Sequence, residues 1–489
     1  MSKLKKLVKQ DFENKLNNKP AFDVNSLPIT ESREFNTKRR MKLIKKVTLI
    51  TSLSLVTFMV IGYAALVFGF RINIDENGKF HERQFSKNEI AAIESASFKK
   101  LNDVTYPTYQ QDQLLVEDKY IESVNNFAYK IYENVEYNDN FSYSPLTLYN
   151  SLSILSLASD NEEVNKQFDD LLGLSKQERK TNFINTFINN YIVNENGTTQ
   201  MYNGLFVDYN SNISEPLVEE FTSYYTELYS IDFANNQDIN KMLNWVDDAI
   251  NDSNYLSSKD LKINELTSFM LFSTLYFDNK WSNMYSEKDS YKDDFLLADG
   301  SKKQVEYMNH TYVGNVYRYD NYDSFYDYYK NGYKVQYVVP RFDLNLNQSI
   351  HQIIKDKNFL LENENNLNDH VIISLNMPKF SSSCYYNFTE LLVNNGLDKA
   401  FNMYDKPFNY LYDNEKDDEM IFLCDVFQKN KVSFNEDGTT IKSVNVSTGM
   451  NATAPAPLES ITYKLNQPFI YVIYDINNIP LYIGHVDNP

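Results

Sequence analysis

The sequence predicts an α+β fold, helix-rich in its first part and strand-rich in its last third, behind one apolar segment long enough to cross a membrane. Three observations predict it. Apolar residues recur at helical spacing through residues 119–172, β-branched and aromatic runs gather after residue 269, and a single uncharged run interrupts the polar N-terminal stretch. At 489 residues, with 42% hydrophobic content and only 13 Gly and 13 Pro, the chain can bury a sizeable core as one large domain with attachments. The abundance of Asn, Tyr, Asp and Lys reads first as codon bias and only second as a functional signal.

Residues 1–46 form a basic tail. They hold 13 Lys and Arg against 5 Asp and Glu, about +8, so the net charge of −19 leaves about −27 for the rest of the chain. So acidic a body gives no support for nucleic-acid binding, which needs a basic surface to displace counterions. Residues 47–70 are an uncharged run of about 24 residues, roughly 36 Å as a helix and enough to span a bilayer. A cleaved signal peptide would instead show a shorter apolar stretch near the start and a small-residue cleavage site. Arg39, Arg40, Lys42, Lys45 and Lys46 crowd the N-terminal side of the run and only Arg71 closely follows it. The positive-inside rule then predicts a single-pass plasma-membrane protein with a cytoplasmic N-terminus and an extracellular body.

Residues 71–118 are polar and irregular, with a short helical patch at 88–101, and read as an extracellular stalk. From 119 to 489 the patterning is that of one packed domain. Ile121, Val124, Phe127, Ala128, Ile131 and Val135 mark a first helix, broken at Asn140 before Ser144-Pro145. Further helices are expected at 146–159, 164–172 and 217–228, and strands at 269–277, 334–339, 371–380, 421–434 and 469–474. No repeat of 20 to 50 residues is visible.

Several stretches, collinear over the packed domain, resemble the serpin family. Asn140-Phe141-Ser142-Tyr143-Ser144-Pro145-Leu146 is similar to the family's Asn-x-x-x-Ser-Pro signature, where a strand turns into a buried helix. Asn203-Gly204-Leu205-Phe206, Asn244-Trp245-Val246 and Thr274-Leu275-Tyr276-Phe277-Asp278-Asn279-Lys280-Trp281 follow, the last resembling the strand that enters the breach region at a buried Trp. Phe295 with Asp299-Gly300, Met377-Pro378-Lys379-Phe380, Gly396-Leu397-Asp398-Lys399-Ala400-Phe401, Pro468-Phe469-Ile470-Tyr471 and Gly484-His485-Val486-Asp487-Asn488-Pro489 complete the series. The resemblance implies helices packed on a large central mixed sheet, two smaller sheets and an exposed reactive-centre loop. It also implies a protease inhibitor, not an enzyme, that is cut by its target and inserts the freed part of the loop as a new strand.

Phe434-Asn435-Glu436-Asp437-Gly438-Thr439-Thr440 resembles the hinge into that loop, which would run to about Thr462. Insertion requires alternate side chains that fit a buried face and a hinge that bends without steric conflict, which Gly438 supplies. The inward set would be Thr439, Ile441, Ser443, Asn445, Ser447 and Gly449, and the one charge, Lys442, would point outward. Inhibitors of the family usually carry a run of Ala where this chain has Ile441-Lys442-Ser443-Val444, so a non-inhibitory binding or adhesion scaffold is the alternative. Ser144, Ser273, Gln428 and Trp281 map to the region where the sheet opens. Ser273 and Gln428 stand where the family tends to place an Asn and a His. The scissile bond is bracketed by Met450, Asn451, Ala452, Thr453, Ala454, Pro455 and Ala456. With no Lys or Arg between Ser443 and Tyr463, an elastase-like or subtilisin-like target fits better than a trypsin-like one.

The two cysteines, Cys384 and Cys424, are either two buried thiols or a disulfide. By the resemblance they lie on neighbouring antiparallel strands. The chain lacks a Gly-x-Ser-x-Gly elbow, a His-Glu-x-x-His motif and a phosphate-binding Gly-rich loop. His81, His310, His351, His370 and His485 are scattered and read as surface or satisfied structural residues. The acidic, tyrosine-rich stretch 315–333 reads as a solvated strand and turn. No cofactor, metal, nucleic acid or small-molecule substrate is expected; the expected partners are a target protease and the membrane, and the expected state is a monomer.

Overall fold

The computed structural model describes residues 97–108, 112–135, 140–264, 266–341, 350, 353–354, 359, 366–412, 420–439 and 459–489, with two short strands upstream, β1 (Ile72–Ile74) and β2 (Phe80–Glu82). Those two strands pair antiparallel with Asn73 opposite His81 and belong to a separate unit. The expected tail and membrane span, residues 1–70, lie outside the described residues, among which no helix is long and apolar enough to cross a membrane.

The packed domain begins earlier than the sequence suggested. Part of the expected stalk is built into the body: the two-residue strand β3 (Lys99–Lys100) is not helical but pairs with β7 (Thr226–Ile231) at the edge of a sheet. Phe98 packs 5.4 Å from the ring of Tyr229, and Tyr106 stacks among Phe187, Tyr191 and Tyr225. Lys100 Nζ donates to the buried Glu227 at 2.6 Å, and Trp245 Nε1 and Tyr229 Oη donate to the same carboxylate. These aromatic and charged anchors lie among polar residues, which is why a composition-based boundary fell too late.

The helices are α1 (Asp118–Tyr132), α2 (Pro145–Leu157), α3 (Glu162–Leu172), α4 (Lys176–Asn189), α5 (Glu215–Ser223), α6 (Asn236–Ile250) and α7 (Thr389–Asn394). Ser144 caps α2 by accepting the Thr147 N–H, and Pro145 fills the first helical position, where a missing N–H costs nothing. α2 is buried almost all round, as the Ser-Pro signature implied. The expected helix 217–228 is half right. Tyr225 takes a left-handed conformation, φ 51°, which ends α5 and turns the chain into β7.

Among the described residues the first sheet runs β14 (Phe380–Asn387), β15 (Phe427–Phe434), β16 (Gly438–Thr439), β8 (Phe269–Lys280), β6 (Gly197–Asp208), β7, β3, with β5 (Ile192–Asn194) on β6. α6 lies across it, its Trp245 ring over Gly204, where a Cβ would come within 2.8 Å of the indole. The second sheet runs β17 (Ser460–Lys464), β13 (Leu367–Pro378), β10 (Lys302–Arg318), β11 (Tyr322–Tyr328), β12 (Lys334–Pro340), β18 (Phe469–Tyr474), β19 (Pro480–Val486) and β4 (Phe141–Tyr143), with β9 (Tyr291–Leu296) on β10. The expected two smaller sheets are thus one, because the 17-residue β10 is long enough to pair with β9, β13 and β11 in turn.

Two expected strands change at their ends. The stretch 371–380 spans two strands in different sheets, divided at Pro378-Lys379. The stretch 421–434 is strand only from Phe427, because Ile421 and Leu423 are spent on core packing and the Leu423 N–H on the Ala400 carbonyl. The stretch 315–333 is strand and turn as expected but not solvated: Tyr322, Phe325, Tyr326, Asp327 and Tyr329 are buried.

Candidate functional site

The hinge predicted from sequence is a tight reversal at the end of β15. The Asn435 side-chain carbonyl accepts the N–H groups of Asp437 and Gly438, at 3.0 and 3.3 Å, and its backbone N–H donates to the Gly438 carbonyl. The chain then runs back as β16, between β15 and β8. Thr439 stands opposite Phe434 on one side and Asn279 on the other, and Gly438 opposite Lys280. Among the described residues β8 and β15 pair with β16 but not with each other, so the two-residue strand marks the mouth of a slot one strand wide.

Gly438 is required here by close approach. A Cβ on it would lie 2.0 Å from the Asn279 carbonyl oxygen, a backbone atom held in the sheet. Thr439 is buried, and its hydroxyl shares a 2.7 Å hydrogen bond with Tyr329 Oη. Thr439 is the residue from which the inward alternation was expected to start, and the positions that would continue it lie outside the described residues. Trp281, fully buried, holds the turn from beneath: its Nε1 donates to the Asn435 carbonyl at 2.9 Å and its backbone N–H to the Asp437 carbonyl at 3.2 Å. The indole stacks on Tyr329 at 4.6 Å.

Glu436 faces away from the slot into an ion pair with Lys379, which also reaches Glu306 at 3.0 Å, and Ser290 Oγ donates to Glu436 at 2.7 Å. Burial works to raise the Glu436 carboxyl, but the Lys379 and Ser290 contacts outweigh it and hold its pKa below the ordinary 4.5. Burial likewise works to lower Lys379, and its two glutamates outweigh that and raise it. The pair therefore stabilises the hinge above the ordinary carboxylate range, losing its contribution as the pH falls through the lowered Glu436 value, and below the ordinary lysine range, losing it as the pH rises through the raised Lys379 value. Glu436→Gln is expected to cost about 2 kcal/mol at neutral pH. In denaturant unfolding the difference from the parent chain should shrink as the pH falls through the lowered Glu436 value; a difference unchanged in acid would show that the charge contributes nothing.

Of the sheet-opening residues, Ser144 and Gln428 come together and Ser273 stays apart. Gln428 Nε2 donates to the Ser144 carbonyl and to Thr147 Oγ1, both at 2.9 Å, while its Oε1 accepts the Ser144 N–H at 3.0 Å. Ser273, opposite Asn203 on β6, has a buried hydroxyl with no hydrogen-bond partner. Thr440, the inserting positions Ile441, Ser443, Asn445 and Ser447, and the scissile window 450–456 lie outside the described residues. The loop also ends sooner than Thr462, since β17 already pairs Ser460 with Ile372 and Thr462 with Ser374.

The cysteines are free thiols. Cys384 stands opposite Asn430 on β14, whereas Cys424 lies before β15 begins, beyond the end of the ladder at Asn387 and Phe427, so the register does not bring them together. Sequence reasoning passed over Tyr329 and Ser290, and it named Asn435 and Lys379 only as members of the hinge stretch and of Met377-Pro378-Lys379-Phe380, without their partners.

A family model described as Serpin (serine protease inhibitor) matches residues 122–489. Serpin-Z4 of Hordeum vulgare is 24% identical over 371 residues, covering 72% of this chain and 90% of that protein. The native-state crystal structure of a thermophilic serpin, tengpin, superposes with a TM-score of 0.68 at 21% identity, covering 80% of this chain and all of that one. Human thyroxine-binding globulin complexed with its hormone superposes with a TM-score of 0.62 at 19% identity, covering 76% of this chain and 99% of that one.

Proposed function

The chain belongs to the serpin family, and from that premise we propose that it is a cell-surface inhibitor of an elastase-like or subtilisin-like serine or cysteine protease. Serpins are generally protease inhibitors and not enzymes. The bait is the loop between Thr439 and Ser460, cut in the window 450–456. The released N-terminal part then enters the slot between β8 and β15 as a new strand, with the protease still attached. One observation carries this reading: Gly438 and Thr439 already occupy the mouth of the slot in register with both walls. Insertion is the continuation of a strand already begun.

The apolar run 47–70 behind a basic tail supports a plasma-membrane anchor with the inhibitory domain outside. The small residues Ala452, Thr453 and Ala454, with no basic residue nearby, support the target class. A second reading is favoured by Ile441 and Val444, whose branched side chains are harder to thread into a slot than Ala. On that reading the fold is a static binding or adhesion scaffold, and thyroxine-binding globulin shows that a serpin can carry a ligand.

Incubating the full chain with elastase-like and subtilisin-like proteases separates the two. The inhibitor reading expects a complex of chain and protease that survives boiling in detergent. Cleavage with no such complex for any protease of either class would leave the scaffold.

A further inference from the structure

Beneath the hinge lies a buried pair that neither the fold nor the inhibitory reading requires. His310 on β10 places Nε2 3.0 Å from Asp327 Oδ2 on β11, with their side chains 7% and 0% exposed. The contact is at ion-pair distance without the alignment of a hydrogen bond, and both imidazole nitrogens are buried with no hydrogen-bond partner. Asp327 is held otherwise by Tyr285 Oη, donating to Oδ2 at 3.1 Å, and by the Tyr328 N–H, donating to Oδ1 at 2.8 Å. A buried carboxylate is unfavourable unless donors surround it, and apolar residues would fill the same volume without that penalty. What the pair adds is orientation.

The oriented group is Tyr285. Its ring is pinned between the His310 ring at 4.1 Å and the edge of Trp281 at 5.6 Å, while its hydroxyl is fixed by Asp327. Trp281 in turn stacks on Tyr329, whose hydroxyl bonds Thr439. Burial pushes the hydroxyls of Tyr285 and Tyr329 far above the ordinary tyrosine value, so both stay protonated at any working pH. A continuous run of contacts therefore joins His310 to the first residue in the slot without touching it directly. We propose that Asp327 and His310 are positioning residues of the hinge receptor: they fix Tyr285 so that Trp281 stays stacked on Tyr329 and Tyr329 holds Thr439 in the slot.

The proposal rests on the hinge reading of Glu436 to Thr439, and its test needs no protease, so its failure is distinct from a failure to inhibit. Full chain labelled with 5-fluorotryptophan carries two probes, Trp245 and Trp281, which Trp245→Phe assigns. Release of the hinge removes the Asn435 and Asp437 contacts of Trp281 and gives it a second resonance. Thr439→Val and His310→Gln should each enlarge that resonance about fivefold, the weight of one neutral hydrogen bond. Because both act on one contact, the double variant should go no further than the stronger single one. Additive effects, on the order of 25-fold in the double variant, would overturn the proposal, as would one unchanged Trp281 resonance in all variants. Should His310→Gln fail to fold, Tyr285→Phe, which keeps the ring and loses the hydroxyl, takes its place in the same cycle.

Discussion

Gly438→Ala is expected to convert the chain from inhibitor to plain substrate. The added methyl would sit 2.0 Å from the Asn279 carbonyl oxygen, 2.9 Å from its carbon and 3.0 Å from Lys280 Cα. All three are backbone atoms of β8, and Asn279 is held on its far side by pairing with Gly197 of β6. The clash can be relieved only by spreading the slot or by expelling the hinge, at a cost of about 3 kcal/mol or more. Expulsion breaks the two-residue pairing, the Thr439 to Tyr329 hydrogen bond and the Trp281 bonds to Asn435 and Asp437, but it leaves the ladder between β8 and β6 intact. A loop whose first position cannot enter its slot is hydrolysed before it inserts. The expected gel therefore shows cleaved chain and free, active protease, with the detergent-stable complex reduced at least tenfold, as a barrier raised by about 1.4 kcal/mol or more requires. Full retention of the complex would mean that insertion starts below Gly438.

The turn at 435–438 was legible because its determinants are local. Asn435 and Gly438 are three residues apart, and the turn they make needs only a side-chain acceptor and a missing Cβ, both visible in the one-dimensional pattern. The burial of α2 was legible for a similar reason, since Ser144 and Pro145 declare its start and an apolar run declares its surroundings. What surrounds the hinge was not legible. Lys379 and Glu436, Trp281 and Asn435, and Tyr329 and Thr439 are joined only by the fold. His310 shows the limit most plainly: among tyrosines and acids on a 17-residue strand its sequence leaves open a surface or a satisfied structural residue, and only the folding of β10 against β11 and the turn after Trp281 buries it beside Asp327. β3 escaped detection because two lysines with a carboxylate partner more than a hundred residues away have no local signature. Conversely, local helical pattern carried the reading too far at 217–228, where the left-handed Tyr225 reverses the chain in a way that periodicity does not encode.

A cut anywhere between Met450 and Ala456 is expected to raise the midpoint of thermal unfolding by roughly 10 °C or more. The register at the slot's mouth sets how the strand would continue. Thr439 lies opposite Asn279 and Phe434, and stepping two residues at a time brings Ile441 between Phe277 and Val432, Ser443 between Leu275 and Asn430, and Asn445 between Ser273 and Gln428. The wall residues at the first two levels are buried, so Ile441 meets apolar partners and Ser443 can meet the Asn430 amide. At the third level Asn445 reaches Ser273, whose buried hydroxyl has no partner in the uncut chain. Leaving such a group unpaired costs about 1–3 kcal/mol, and an inserted Asn445 amide would remove that cost. Outward Lys442 and Val444 stay off the core. A strand of this length also pairs the edges of β8 and β15 that have no partner among the described residues, and that double ladder, with the Ser273 contribution, has to supply the roughly 8 kcal/mol that a 10 °C shift requires in a domain of this size. Scanning calorimetry of the chain before and after limited cleavage by a non-target protease reads the shift directly. Asn445→Leu should still be cut, and its gain on cutting should be smaller by about 1–3 kcal/mol, because Ser273 stays unpaired and Gln428 meets an apolar side chain. If the parent chain unfolds at the same temperature cut or uncut, the strand begun at Gly438 and Thr439 ends there, and the slot is a fixed feature of a static fold.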